Sequence, residues 1–145
     1  MKVKQIGVLL PADLFFAADL LAMLAGEGIN VFACSLVSVE KGENMMLKMI
    51  VNDIDNASQI LEAKDLEVDI TLVAVVEIPD KPGGLAGLLQ TIKGTGLQLF
   101  SMYAFSHRSG EETLVVIDFA DIEEAILRLN KEDVRVLSTE ELLAK

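Results

Sequence analysis

The chain has no tryptophan and only one cysteine, one histidine and one tyrosine in 145 residues. The lone Cys34 cannot form an intrachain disulfide, and its scarcity fits a reducing compartment, so a cytoplasmic protein is expected. Positive charge is also scarce: 12 Lys and Arg stand against 23 Asp and Glu, a net charge of −11. Phosphate backbones and anionic lipid surfaces are held by clustered Lys and Arg, so neither nucleic acid nor a membrane surface is an expected partner. No group of His, Cys and carboxylates has metal-ligand spacing. There is no Gly-Lys-Ser or Gly-Lys-Thr phosphate loop, no dinucleotide G-x-G-x-x-G and no nucleophile elbow. No catalytic residue, metal or cofactor is therefore expected. An uninterrupted apolar span is missing too. Residues 6–24 come nearest, but Pro11, Asp13 and Asp19 break them, which argues against a signal peptide or a membrane span.

What the chain does have is a repeat. Residues 2–69 align without a gap to residues 70–137 at an offset of 68, with 17 identical pairs. These include Pro11/Pro79, Gly28/Gly96, Gly42/Gly110, Asp53/Asp121, Leu61/Leu129 and Asp65/Asp133. Gly and Pro punctuate elements, so their agreement in one frame indicates a duplicated unit. Hydrophobic residues make up 52% of the chain, enough for a core in each half. A lone unit of this length is close to the lower limit for a self-sufficient core, so the halves are expected to share an interface. The organisation read from this is a first unit at 1–69, a second at 70–137 and a tail at 138–145 that forms a single helical turn or frays.

The second unit is the clearer copy. Ile70–Ile78 is a β-branched apolar run of strand length. Pro79–Gly84 breaks it, and Leu85, Leu88, Leu89 and Ile92 then form one helical stripe, ended by Gly94 and Gly96. Leu97–Phe105 and Thr113–Phe119 read as strands around a hairpin turn at Ser109–Glu112. Asp121 is placed to cap a second helix, with Glu124 completing a capping box, and Val134–Leu137 is a short last strand. The first unit repeats this order, with a first helix carrying Ala17, Leu20, Leu21 and Leu24 and a second from Asp53 carrying Ile54, Ala57 and Leu61. The fold class expected is α+β: two βαββαβ ferredoxin-like units, each an antiparallel sheet with both helices on one face, joined side by side. Strands Ile29–Val37 and Leu97–Phe105 are apolar on both alternating sets, so the helix-free face is expected to be buried in a homodimer.

Several single residues have ordinary readings. Cys34 reads as a small buried hydrophobe, Phe15 and Phe16 as a core staple at the helix start, and Met45, Met46 and Met49 as packing filler. His107, beside Arg108, reads as a solvated hairpin residue.

The segment PDKPGGLAGLLQTIKGTGLQLFS, residues 79–101, resembles an ACT domain, the small ligand-binding module of many enzymes of amino-acid metabolism. The match lies at Asp80, Pro82, Gly83 and Leu85, and Gln98 stands where the family pattern has Asn. The first unit is the complement. It keeps Gly28-Ile29-Asn30-Val31, but Ala12 occupies the Asp80 position and its loop has no Pro-Gly. The resemblance covers residues 3–137 and is that of a free-standing tandem ACT protein. It implies a ligand between the units, held by Asp80, Lys81, Pro82, Gly83, Gly84 and Leu85 on one side and Asn30 on the other, with a degenerate mirror site at Ala12–Phe15 and Gln98. The physics suits an amino acid. A helix N-terminus offers unpaired N–H groups to a carboxylate, Asp80 offers an acceptor to an ammonium, and Gly83 and Gly84 permit close approach.

The function expected is a non-catalytic, amino-acid-binding regulatory protein, a homodimer with an enzyme of metabolism as a further partner. The alternative is an interaction subunit without a small-molecule ligand. A small hydrolase of the acylphosphatase kind is a distant third, because the first loop of the clear unit holds Lys81 and no anion-binding Arg. Fold alone does not choose among these.

Overall fold

Among the described residues, the alternation of β-branched runs with apolar stripes of helical period resolves into seven strands and five α-helices, with β1/β3, β2/β3, β4/β6, β4/β7 and β5/β6 paired antiparallel. The structure is a computed structural model and describes residues 1–106 and 110–144. His107, Arg108 and Ser109, where the sequence places the hairpin, lie outside the described residues. The chain divides into two compact units, a first of residues 4–71 and a second of residues 1–3 with 72–145.

The first unit holds β1 (Val3–Pro11), α1 (Leu14–Gly26), β2 (Val31–Val39), β3 (Asn44–Val51) and α2 (Ile54–Glu62). Its last strand is the start of β4 (Val68–Pro79), which then continues into the second unit as a single strand. The strands run β4–β1–β3–β2. Register places Ile6 opposite Met49, Val8 opposite Leu47, and Leu36 opposite Leu47, so one face carries a continuous apolar surface. Leu20 and Leu24 of α1 and Ala57 and Leu61 of α2 cover it, and Ile6, Leu24, Leu47, Met49 and Leu61 are fully buried.

The second unit repeats the plan with β4, α3 (Gly84–Thr95), β5 (Leu99–Ser106), β6 (Glu112–Phe119), α4 (Ile122–Lys131) and β7 (Arg135–Leu137), in strand order β7–β4–β6–β5. Ala74, Val76, Val115 and Ile117 pack against Leu88, Ile92, Ala125 and Leu129. This is the βαββαβ order read from the sequence, present twice.

The tail is a formed element. Residues Thr139–Leu143 make α5, started by a reciprocal capping box between Ser138 and Glu141. Arg135 of β7 bonds Glu141 at 3.1 Å and approaches Glu77 of β4 at 3.5 Å, and Leu142 is buried. The sheet face away from α3 and α4 is also dry at its centre: Val73, Val75, Leu114, Val116 and Leu137 are buried within the single chain. The exposed large apolar side chains of the outer strands are Val37 on β2 and Phe100 on β5. No helix among the described residues is long and apolar enough to cross a membrane.

Three local expectations change. Gly96, not Gly94, ends α3: it adopts φ 75°, while Gly94 stays inside the helix. Glu124 does not close a capping box, because its carboxylate accepts from Arg128 one turn on at 2.7 Å. Asp121 still caps α4 by accepting from the Glu124 N–H. Cys34 is exposed, since β2 is an edge strand with one flank uncovered. Partial desolvation still holds its thiol above the ordinary value of 9.0, which disfavours the thiolate.

Candidate functional site

The loop between β4 and α3 is shaped by two backbone demands. The Lys81 N–H donates to the Pro79 carbonyl at 3.0 Å and the Gly84 N–H to the Lys81 carbonyl at 3.1 Å, giving a compact double turn. Gly83 then sits at φ 88°, ψ −9°, a left-handed conformation that glycine adopts without strain. Gly84 is required for a different reason. A Cβ there would lie 2.4 Å from the Pro79 carbonyl oxygen, so no side chain fits. At Gly83 nothing stands within 4 Å of a built Cβ, and the space above the helix start is open. The sequence argument assigned both glycines to ligand approach. The space at Gly83 is open, and Gly84 is in addition required by the close pass of the Pro79 carbonyl.

The start of α3 is uncapped. Asp13, Asp53, Asp121 and Ser138 each accept a backbone N–H at the start of α1, α2, α4 and α5, but Gly83 has no side chain to do so. The first intrahelical bond runs from the Gly87 N–H to the Gly83 carbonyl at 2.9 Å. That leaves the Leu85 and Ala86 N–H groups without a partner among the described residues, at the positive end of the helix dipole. Asp80, Lys81 and Pro82 are exposed on the rim, and Leu85 is 40% exposed. The Asp80 N–H is anchored to the Glu111 carbonyl at 3.0 Å, which fixes the backbone while its carboxylate makes no bond among the described residues. An anion-accepting helix start and an anionic side chain therefore share one loop.

The matching loop of the first unit closes itself. The Asp13 N–H donates to the Pro11 carbonyl at 2.7 Å, the same turn as in the second unit, but the Asp13 carboxylate then accepts the Phe15 N–H at 2.9 Å. The helix start is already occupied by an internal carboxylate. Asp13 was missed from the sequence; its position one residue ahead of an apolar helix was the available signal. The staple reading splits: Phe16 packs on the first core, whereas Phe15 is 83% exposed.

Asn30 and Gln98 occupy the same place in the two units, just ahead of β2 and β5. Asn52 clamps Asn30: its side-chain oxygen accepts the Asn30 N–H at 2.9 Å, and its own N–H donates to the Asn30 carbonyl at 3.1 Å. The Gln98 carbonyl accepts the Ala120 N–H at 3.0 Å, and both side chains are exposed. Residues 80–85 thus gather on one loop of the second unit, while Asn30 belongs to the first unit. No group of three or more His, Cys, Asp and Glu that could hold a metal is present among the described residues.

Two comparisons give nothing: no family model and no curated protein matches this chain. Solved structures do match. Protein BT0572 from Bacteroides thetaiotaomicron superposes with a TM-score of 0.88 at 28% identity, over 98% of this chain and 96% of that one. The regulatory subunit of aspartate kinase from Thermus thermophilus, in its ligand-free form, gives 0.62 at 21% identity, over 88% and 90%. Its counterpart from Thermus flavus gives 0.60 at 21% identity with the same coverage. The fold is ACT-like. At these identities the aspartate kinase subunits share the architecture of this chain, and the residues of its loop have to be judged on their own geometry.

Proposed function

We propose that this protein is a non-catalytic regulatory module that senses a small amino acid through the loop of residues 79–85. The observation that carries the reading is the uncapped start of α3, open above Gly83 and flanked by the Asp80 carboxylate, which has no partner among the described residues. The ligand carboxylate takes the Leu85 and Ala86 N–H groups, the ammonium takes Asp80, and exposed Leu85 meets the side chain. Lys81 adds positive charge at the rim. The resemblance to the ACT family adds Asn30 of the first unit as a further ligand contact, with Gln98 at the weaker mirror position. Regulatory subunits of aspartate kinase share the fold, which supports a regulatory role beside an enzyme of metabolism.

A ligand changes the state of such a module only by its differential affinity for one state. Binding also stabilises the folded chain: at 100 times the dissociation constant the gain is about 2.7 kcal/mol, enough for a clear rise in melting temperature. A thermal-shift screen against the twenty amino acids should therefore show a selective rise that Asp80→Ala abolishes. Asn30→Ala tests the first-unit contact by itself. If no amino acid shifts the melting curve, sensing is refuted. The reading that then stands is an interaction subunit, which the exposed Val37 and Phe100 on edge strands β2 and β5 favour.

A further inference from the structure

A cavity of about 220 Å³ opens in the first unit beside α1, lined by Phe16, Asp19, Leu20, Met23 and Lys64. Phe16, Leu20 and Met23 fall at i, i+4 and i+7 on one stripe of the helix. Leu20 is 4% exposed and forms the floor, while Phe16 and Met23 are half-buried walls that still meet water. Lys64 comes from the turn that ends α2, and that turn is rigidly specified. The Lys64 N–H donates to the Leu61 carbonyl at 3.1 Å, the Leu66 N–H to the same carbonyl at 3.4 Å, and Asp65 takes a left-handed φ of 59° between them.

The two charges of the cavity are opposite and unused. Neither Asp19 nor Lys64 enters an ion pair or a side-chain hydrogen bond among the described residues. Two opposite charges at the rim of an apolar cavity, not satisfied by each other, suit a molecule that carries both complements. A zwitterion does. The volume lies below the roughly 300 Å³ at which pockets for larger ligands begin, so the occupant has the size of a single small metabolite.

The repeat does not conserve these lining residues. At the offset of 68 the lining residues become Gly84, Gly87, Leu88, Thr91 and Glu132. Two walls are lost to glycine and threonine, and the positive rim becomes negative. The first unit, whose loop is closed by Asp13, carries this cavity; the second unit, whose residues at the matching positions differ, carries the open loop.

We propose that the cavity binds an α-amino acid with an apolar side chain, its ammonium on Asp19, its carboxylate on Lys64 and its side chain over Phe16, Leu20 and Met23. Charge-assisted hydrogen bonds orient the backbone end, and removing the half-exposed walls from water favours the apolar end. An acidic or amide side chain would be desolvated on that floor without partners, so glutamate and asparagine are disfavoured. The cavity shares no residue with the loop of residues 79–85, so either assignment can fail while the other holds.

The test is a nuclear magnetic resonance titration of the full chain with L-leucine and L-methionine, reading the methyl signals of Leu20 and Met23 and the Lys64 amide. Saturable shifts at all three are expected. Asp19→Asn and Lys64→Gln, both changes of exposed side chains, should each weaken binding by about tenfold, the usual loss for one charge-assisted hydrogen bond. 4-Methylpentanoate, which lacks the ammonium, and 3-methylbutylamine, which lacks the carboxylate, should bind more weakly by a similar factor. Asp80→Ala should leave the three signals and their titration unchanged. Absence of shifts at Leu20 and Met23, shifts that persist unaltered in both charge variants, or their loss in Asp80→Ala would each overturn the assignment.

Discussion

Positive φ angles explain why particular residues recur between the halves. Gly28 and Gly96 adopt φ 78° and 75°, Gly42 and Gly110 adopt 88° and 73°, and Asp65 and Asp133 both adopt 59°. All three pairs are identical in sequence, because few residue types enter the left-handed region cheaply. The same reasoning yields a prediction for the candidate loop. Gly83→Ala should cost about 1–2 kcal/mol, the ordinary penalty of a left-handed L-residue. Gly84→Ala should cost more, since its Cβ would meet the Pro79 carbonyl at 2.4 Å and the loop must shift. Urea denaturation of the two variants checks the order, and an equal or reversed order would refute the backbone-clash account. The type of residue at these positions was legible in the sequence. The reason for Gly84 was not, because a carbonyl five residues back becomes an obstacle only once the loop has turned.

Helix starts are where the elements differ most. Asp53 and Asp121 accept the Asn56 and Glu124 N–H groups at 3.2 and 3.1 Å, so Asp53→Ala and Asp121→Ala should each lose about 1 kcal/mol by chemical denaturation. Helix α5 depends on pH as well. The Glu141 carboxyl is lowered below its ordinary 4.5 first by the Ser138 N–H and then by Arg135. A carboxyl lowered on folding stabilises the folded form above its unfolded value and loses that contribution as pH falls through the folded value. Acidification below the ordinary carboxyl value of 4.5 should therefore loosen α5 before the sheets, seen as earlier loss of amide protection at Leu142 than at Val116. Arg135 stays charged throughout, raised by Glu141 and Glu77. Periodicity sufficed to place four of the five helices. The fifth has too few residues for a periodic signal, and its formation rests on a capping box and on Arg135, a partner in the preceding strand.

The helix-covered face of each sheet carries an apolar cluster among the described residues, with Leu61 in the first and Leu129 in the second, both fully buried. Leu61→Ala and Leu129→Ala should each cost about 2–5 kcal/mol, measurable by denaturant unfolding. Their equal burial at matched positions predicts similar losses, and a near-neutral variant at either site would contradict the packing. Self-association belongs to this scale too. The sequence argument for a homodimer began from strands apolar on both faces. Within the second unit the centre of the second face is already buried in one chain, while exposed apolar side chains remain on the edge strands, at Val37 and Phe100, and on β1 and β4, at Leu9, Ile70 and Leu72. Phe100 sits at a register shift of β5, and its repeat mate Phe32 sits at the matching shift of β2. If those strands mediate dimerisation, sedimentation at micromolar concentration should give a dimer mass that Phe100→Glu reduces to a monomer. A monomer mass for the unaltered protein would remove the homodimer proposal.

The repeat, the βαββαβ order, the turn glycines and the Asp53 and Asp121 caps were determined by the sequence alone, because each depends on residues within one or two turns of the chain. Tertiary structure alone decided which of Phe15 and Phe16 is buried, that Cys34 faces out at an edge, and that Val73 and Val75 are dry on the helix-free face. It also decided that Lys64, from the end of α2, shares a cavity with Asp19 of α1. Exposure and juxtaposition are set by elements that meet only after folding, and a local pattern carries no record of them.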